Sequence, residues 1–564
     1  MKNLNGNYWL WVVLILAGGA LVRFCSLTSL PPGIYPDEAM NISDGLTTAE
    51  NGDWKWFYEN NQGREGLYMN ILGYLMHWFG ASLFVVRFLP AMIGFLTLPA
   101  VFWLGKKLFD DKTALYALAL TAFSYWHLNF SRIGFRALLM VLTISWGFAL
   151  LIEAMYRLKN PKCLKNKSLD TGTLFFVLSG LVFGISLHTY IAVRIVPAVI
   201  FVAFFVFAIF YRDKIKILLR QLLIFSFFAL LTASPLLLDF WIFPEHFSGR
   251  TNNVSVFKAE NMPMELARTA GLTLASFLFY GDQNWRHNYP YLPITLPIWG
   301  IPLIFGFGLA IYNFISTSVG LILKKTKIKE EKLWLVFGQI FLAAWWFLLL
   351  MPSVLTIEGI PHGLRSIGSI PPTFLLASLI AVSWARSEKA KKILVSLLVL
   401  SSLFSVFAYF FLWGRSAQTY DAFEYRLSGM GIFIREEAKK DSETNFYVLA
   451  NNNSLRTNVN LPVAVEPIRF YTWNLKERVK FILPEELDSV EIKMPAKIVI
   501  MQEDSEMIEK IRAKNPLLEI KKVRIGSLPV NDAGVINFNP AGLEGFLIPS
   551  IPVATDFMIL EQRL

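Results

Sequence analysis

Long apolar runs separated by short polar connections dominate the chain. A bilayer span takes about 20 apolar residues. Roughly eleven runs approach that length: Tyr8–Leu27, Leu83–Leu104, Thr113–Leu128, Phe135–Tyr156, Thr173–Leu187, Ile195–Phe210, Ile217–Leu238, Leu296–Ile315, Leu333–Leu350, Pro371–Trp384 and Ile393–Trp413. The stretch from Glu65 to Phe79 is apolar but interrupted and too short to cross, which predicts a helix lying in the membrane interface. It closes a first external loop over 28–82. A second external segment, Asp239 to Tyr291, carries a helix-like run from Met264 to Phe279. After Trp413 the pattern changes. Ala417–Lys440 reads as one amphipathic helix, followed by strand-like Phe446–Leu449, Lys480–Leu483, Lys497–Met501 and Leu518–Val523, with a helix over Ser505–Lys514. Strands alternating with helices predict a small α/β domain with a largely parallel sheet. The expected division is therefore a polytopic α-helical membrane domain over 1–413 and an extracytoplasmic α/β domain over 414–564.

Composition agrees with this pattern. Of 564 residues, 54% are hydrophobic and 17% charged, with 48 Phe and 17 Trp, which excludes an ordinary soluble enzyme. The net charge of +11 does not point to nucleic acid, because the basic residues sit in short clusters between apolar runs. Lys106, Lys107 and Lys112, then Lys159, Lys162, Lys165 and Lys167, then Arg212, Lys214 and Lys216, then Lys324, Lys325, Lys327 and Lys329, and finally Arg386, Lys389, Lys391 and Lys392 mark every second connection. Those connections and the N-terminus are expected to be cytoplasmic, and an odd number of spans places the first loop and the tail outside. Tyr8–Leu27 reads as a retained span, since no small-residue cleavage site precedes Pro31. Cys25 and Cys163 fall at opposite membrane faces, so no disulfide is expected. All six histidines (His77, His127, His188, His246, His287 and His362) map to the outer side or to the span ends facing it.

Chemistry therefore concentrates on one face. Ionised groups at membrane depth persist only when partnered or wet, so the adjacent Asp37 and Glu38 just beyond the first span mark a functional site. A carboxylate there can take a proton from an incoming hydroxyl. The structural alternative is that Asp37 caps a short helix beginning at Glu38. Glu65 is either a second acid of the site or half of an exposed ion pair with Arg64. Arginine suits a phosphate because its planar fork binds two oxygens, and Arg132, Arg136, Arg194, Arg286 and Arg365 lie on the outer side. Each alone can equally be an interface anchor. Arg286-His287 and His362-x-x-Arg365 stand out because each joins an arginine to a histidine in a Pro- and Gly-bounded segment. Asp37, Glu38 and the outer histidines are conceivable metal ligands, but no His-x-x-x-His or comparable spacing occurs, so no metal is expected.

An N-terminal span, an external loop opening with Tyr35-Pro36-Asp37-Glu38, an interfacial helix, many spans and an extracytoplasmic tail together resemble the GT-C glycosyltransferases. The similarity is to the branch of protein O-mannosyltransferases and lipid A aminoarabinose transferases. It covers Tyr8 to Trp413 and is most specific from Tyr35 to Tyr156. It takes in Phe130-Ser131-Arg132-Ile133-Gly134-Phe135-Arg136, Gly281-Asp282-Gln283-Asn284-Trp285-Arg286-His287-Asn288 and Glu358-Gly359-Ile360-Pro361-His362-Gly363-Leu364-Arg365. The resemblance implies transfer of a sugar from a polyprenyl phosphate to an acceptor protein, lipid or glycan, with membrane lipids as surroundings and no nucleic acid. Asp37 would be the catalytic base or acceptor-orienting group, Glu38 its partner and Glu65 a second acid. Arg64-Glu65-Gly66 lacks the Lys-Pro-Pro or His-Pro-Pro that often follows in relatives. Arg132, Arg136, Arg286, His287, His362 and Arg365 would hold the donor phosphate. Members of the wider fold use a divalent ion; this branch implies none. Two other classes fit a polytopic chain: a transporter or lipid flippase, whose ionisable groups would lie nearer mid-membrane, and a polymer ligase resembling the O-antigen ligases, relying on arginine and histidine.

Overall fold

The computed structural model describes residues 7–160, 171–253, 255–290, 292–323, 328–457, 459–525, 535–538 and 555–562. Cys163, Tyr291, and Lys162, Lys165, Lys167, Lys324, Lys325 and Lys327 of the basic clusters lie outside them. Among the described residues nine helices are long and apolar enough to cross a membrane, so the protein is a multi-pass membrane protein. Each of the eleven predicted spans falls on a helix. Two of those helices are shorter than a simple span: Asp111–Phe123 with 13 residues and Thr171–Ser186 with 16. The predicted run through Leu128 breaks because Ser124 leaves the helical region and its hydroxyl accepts the His127 N–H at 3.2 Å. That cap starts a separate helix, Tyr125–Phe130.

Burial sorts the helices into inner and outer. Most residues of Ile367–Trp384 and Ala137–Lys159 are buried, whereas few of those in Asn7–Phe24 and Arg212–Ile242 are. The outer helices present Leu223, Phe227, Leu230 and Trp241 outward, as hydrocarbon requires.

The first loop is a compact unit. Pro36–Asn51 is a helix, β1 (Phe57–Tyr58) and β2 (Arg64–Glu65) form a short antiparallel hairpin, and Leu67–Phe79 is a helix where the short apolar run predicted one. The two helices touch at Gly45 and Gly73, where a Cβ on Gly73 would stand 2.6 Å from the Gly45 carbonyl oxygen. Only glycine allows that approach. Trp78 and Phe79 at the far end of the interfacial helix are 68% and 71% exposed, consistent with seating in the headgroup layer.

The tail departs from expectation in two respects. Its amphipathic helix is split into Ala417–Ala422 and Tyr425–Lys440 by Glu424, which takes a left-handed φ of 48°. The break falls where the chain meets the first loop: a Cβ on Gly33 would lie 2.3 Å from the Phe423 carbonyl oxygen, and the Ile34 N–H donates to Ser428 Oγ at 3.0 Å. The described sheet has six strands: β3 (Asn445–Leu449), β4 (Val479–Ile482), β5 (Ala496–Ile500), β6 (Leu518–Ile525), β7 (Val535–Phe538) and β8 (Thr555–Gln562). Their order is β4-β3-β5-β8-β6-β7. β8 runs antiparallel between β5 and β6, while the other neighbours are parallel. Alternate residues serve two cores. Phe446, Val448, Val499 and Ile559 join the large core shared with the membrane helices, and Tyr447, Leu449, Ile498, Ile500 and Leu560 pack with Ile508 and Ile511 of the Ser505–Lys514 helix. Glu50 of the first loop accepts hydrogen bonds from Trp473 Nε1 and Lys476 Nζ, each at 2.5 Å, across the loop–tail contact.

Candidate active site

Tyr35 is the N-cap of the Pro36–Asn51 helix, and Pro36 supplies the fixed φ that suits a first helical position. Asp37 lies in the first turn and makes no capping bond to the backbone, so the helix does not begin at Glu38 with Asp37 as its cap. Asp37 is half-buried and bound by two side-chain donors. Asn61 Nδ2 donates to Oδ1 at 2.6 Å, and the Tyr35 hydroxyl donates to Oδ2. Burial and the adjacent Asp37 charge push the Tyr35 hydroxyl well above the usual phenol range, so it remains the donor. Asp37 opens on a cleft of about 60 Å³ that is also lined by Asn41, Asn61, Arg64, Arg136, Tyr190 and Leu364.

Glu38 points elsewhere. It is fully buried, receives the Gly134 N–H on Oε1 at 3.0 Å and has Arg87 Nε at 3.8 Å, while Oε2 has no hydrogen-bond partner. Desolvation raises its pKa despite Arg87 and the Gly134 amide. Arg87 in turn donates to the carbonyls of Leu27 at 3.1 Å, Pro31 at 2.5 Å and Gly33, fastening the strand of chain that leads into the site. The carboxylate pair seen in the sequence is thus one acid facing the cleft and one facing the framework.

Glu65 does not pair with Arg64. Arg64 binds Asp44 and donates to Asn41 Oδ1 at 2.6 Å, and it is buried. Glu65 is buried too, held by Arg136 Nη1 at 3.1 Å and Arg194 Nη2 at 3.5 Å. In place of the alternative of an exposed ion pair with Arg64, the structure has a buried bridge between β2 and two helix-terminal arginines.

Arg132 is corrected from donor phosphate ligand to framework. Its five N–H groups are fully used: Nε to Tyr409 Oη at 3.1 Å, Nη1 to the carbonyls of Val22 at 2.9 Å and Arg23 at 2.8 Å, and Nη2 to those of Ser26 at 3.1 Å and Leu30 at 3.0 Å. It caps the C-terminal end of the first span, whose last carbonyls lack helical partners. Arg286 is placed differently. Its guanidinium stacks 4.3 Å from the Tyr35 ring centroid, and its Nε is shielded from solvent without an acceptor. Arg365 bonds Thr356 Oγ1 at 2.8 Å and the Glu358 carbonyl at 2.7 Å, organising its own loop.

His287 and His362 come together with Asp282, which the sequence reading did not single out. His287 Nδ1 lies 3.0 Å from Asp282 Oδ2, the two imidazole centroids are 4.7 Å apart, and one ligand atom from each of the three residues lies within 4.8 Å of the others. These residues could hold a metal, contrary to the expectation from spacing, because the ligands come from two separate loops. Burial, with His287 and Arg365 alongside, pushes His362 well below the usual imidazole range, leaving it neutral. Phe130 and Phe135 flank His287, and Phe135 also packs on Tyr35, so a continuous aromatic wall joins this cluster to Asp37.

No family model and no curated protein matches the chain. Solved structures do. The archaeal oligosaccharyltransferase AglB from Archaeoglobus fulgidus, in complex with an inhibitory peptide and a dolichol-phosphate, is 14% identical with a TM-score of 0.49, covering 82% of this chain and 64% of its own. ArnT from Cupriavidus metallidurans in the apo state is 14% identical with a TM-score of 0.48, covering 98% and 97%. The arabinofuranosyltransferase AftD from Mycobacteria is 12% identical with a TM-score of 0.46, covering 98% and 40%. The chain thus spans about two-thirds of the AglB length and less than half of AftD. All three are GT-C fold membrane glycosyltransferases. At this level of identity the likeness concerns the fold, and no activity follows from it.

Proposed function

We propose that this chain is a membrane glycosyltransferase that moves a sugar from a polyprenyl-phosphate donor to an acceptor hydroxyl on the outer face, with inversion at the anomeric carbon. The observation that carries the reading is the setting of Asp37: a carboxylate oriented from both sides by Tyr35 and Asn61, open to a cleft shared with Arg136, beneath a stacked Arg286. In the proposed step the acceptor oxygen forms a bond to C1 of the sugar as the bond from C1 to the phosphate oxygen breaks. Asp37 takes the acceptor proton, and polyprenyl phosphate leaves with the electron pair. Charge growing on the leaving oxygen would be met by Arg286, whose unused Nε–H needs no prior bond broken, and by Arg136. Glu38 would act as a positioning residue through Gly134 and Arg87, and Glu65 by fixing Arg136. Such an enzyme would have its first loop and tail outside the membrane and its basic connections inside.

Asp37→Asn tests this reading in detergent or nanodiscs with polyprenyl-phosphate sugars as donors. The variant should unfold at the wild-type temperature and lose about 100-fold or more in kcat, the usual worth of a general base. Full activity in Asp37→Asn would remove the base assignment. Absence of transfer by the wild-type protein from every donor would overturn the enzyme reading in favour of transport.

A further inference from the structure

We propose that Asp282, His287 and His362 form a binding site for a divalent ion of the zinc class, clipping together the two external loops at 281–290 and 359–365. The loops are already joined there: Gly363 N–H donates to Asp282 Oδ2 at 2.6 Å, and Trp126 Nε1 donates to the Gly363 carbonyl at 3.0 Å. Asp282 is buried and its second oxygen accepts the Asn284 N–H at 2.8 Å, so backbone amides on both loops fix the carboxylate. A plain structural Asp–His pair accounts for His287, which lies 3.0 Å from Asp282. It does not account for His362, whose Nδ1 is buried without a hydrogen-bond partner while its ring faces His287. A buried polar atom left unpaired is destabilising, because it has given up water without gaining a partner. A cation bound between the rings removes that cost and neutralises the buried carboxylate.

Donor chemistry selects the ion. Two imidazoles and one carboxylate suit zinc and similar borderline ions, whereas calcium and magnesium favour oxygen ligands throughout. Ligands about 2.1 Å from a tetrahedral centre lie roughly 3.4 Å from one another. The present atoms, within 4.8 Å, close on an ion by a rotation of the His362 ring and a small shift of its loop. Three protein ligands leave a fourth position for water or an anion. The ion would also lock the loop that holds Arg286 over Tyr35. The site stands independently of whether Asp37 is the base.

The test uses the full chain, free of any affinity tag, stripped with a chelator in nanodiscs and titrated with zinc chloride alone. Calorimetry and elemental analysis after desalting should find one zinc per wild-type chain, and the same for Asp37→Asn. His362→Gln should weaken binding at least tenfold, and this substitution breaks no Nδ1 hydrogen bond. X-ray absorption on the zinc-loaded wild type supplies a check that does not depend on any variant folding: it should show two imidazole ligands. Absence of stoichiometric zinc, undiminished affinity in His362→Gln, or a coordination shell without histidine would each overturn the site. Failure of sugar transfer would leave these measurements unchanged, so the two readings fail separately.

Discussion

Arg132→Lys separates a framework arginine from a phosphate ligand. The guanidinium makes five hydrogen bonds, four of them to carbonyls of the first span and the turn after it. Lysine keeps the charge but carries three donors on one nitrogen, so at least two of those bonds are lost. Hydrogen bonds to a charged partner are worth about 1.5–3 kcal/mol each, which places the cost at about 3–6 kcal/mol. The Arg23 and Leu30 carbonyls are buried and those of Val22 and Ser26 partly so, which limits how far water can replace the lost donors. Arg132 also lies 5.5 Å from the Tyr409 ring centroid and 5.2 Å from that of Phe410, contacts a lysine reproduces less well. Thermal unfolding followed by tryptophan fluorescence in nanodiscs should therefore show a clearly lowered midpoint. Polyprenyl-phosphate affinity, measured on the fraction that remains folded, should stay within about twofold of wild type. A variant of wild-type stability whose donor affinity fell tenfold or more would refute the framework assignment and return Arg132 to the phosphate site.

Arg286→Lys should give the opposite profile. Stability stays near wild type because the side chain is only half-buried, while kcat/KM for transfer falls at least tenfold through loss of the stacked planar fork, measured by initial rates over a donor series. Glu38→Gln reads a linkage. Because burial raises the folded-state pKa of Glu38 above its unfolded value, the native state holds this proton more tightly and wild-type stability falls as pH rises above about 4.5. The unfolding midpoint of Glu38→Gln minus that of wild type should therefore increase as pH rises above about 4.5; a flat or decreasing difference would contradict the raised pKa of Glu38. For orientation, a single cysteine at Asn51 should react with an impermeant thiol reagent in intact cells and one at Lys389 should not, with the reverse result inverting the topology.

The spans were legible because an apolar run of sufficient length has few other destinations, and the interfacial helix because its run is too short to cross. What stayed hidden depends on contacts between distant segments. The break at Ser124 is a local hydroxyl cap inside a run that is otherwise continuous, and the break at Glu424 follows from Gly33 pressing on the tail, 391 residues earlier in the chain. Arg23 and Arg87 lie within or beside runs read as plain span, yet both are fully buried and bond backbone carbonyls or His127. An arginine placed inside an apolar run near its outer end is costly unless partnered, and that cost was the signal available for both. Asp282 stands in a quoted motif, but its partners His287 and His362 lie on separate loops, and no spacing rule spans 80 residues.

The first-loop acids show how local geometry divides what a sequence presents together. Successive residues on a helix point about 100° apart, so two adjacent carboxylates in one helical turn cannot both face one cleft. Pro36 sets the helix start, and that phase turns residue 37 toward Asn61 and the cleft and residue 38 toward Gly134 and Arg87. Asp37 is thereby left half-exposed between two donors, where an incoming hydroxyl can reach it. Glu38 is left dry and loosely paired, the condition for one that holds its proton. A one-residue displacement of that phase would turn the Asp37 carboxylate to where Glu38 now points and carry Glu38 a further ~100°, to where Ala39 points. A single inserted alanine between Pro36 and Asp37 therefore tests the division more severely than replacing either acid.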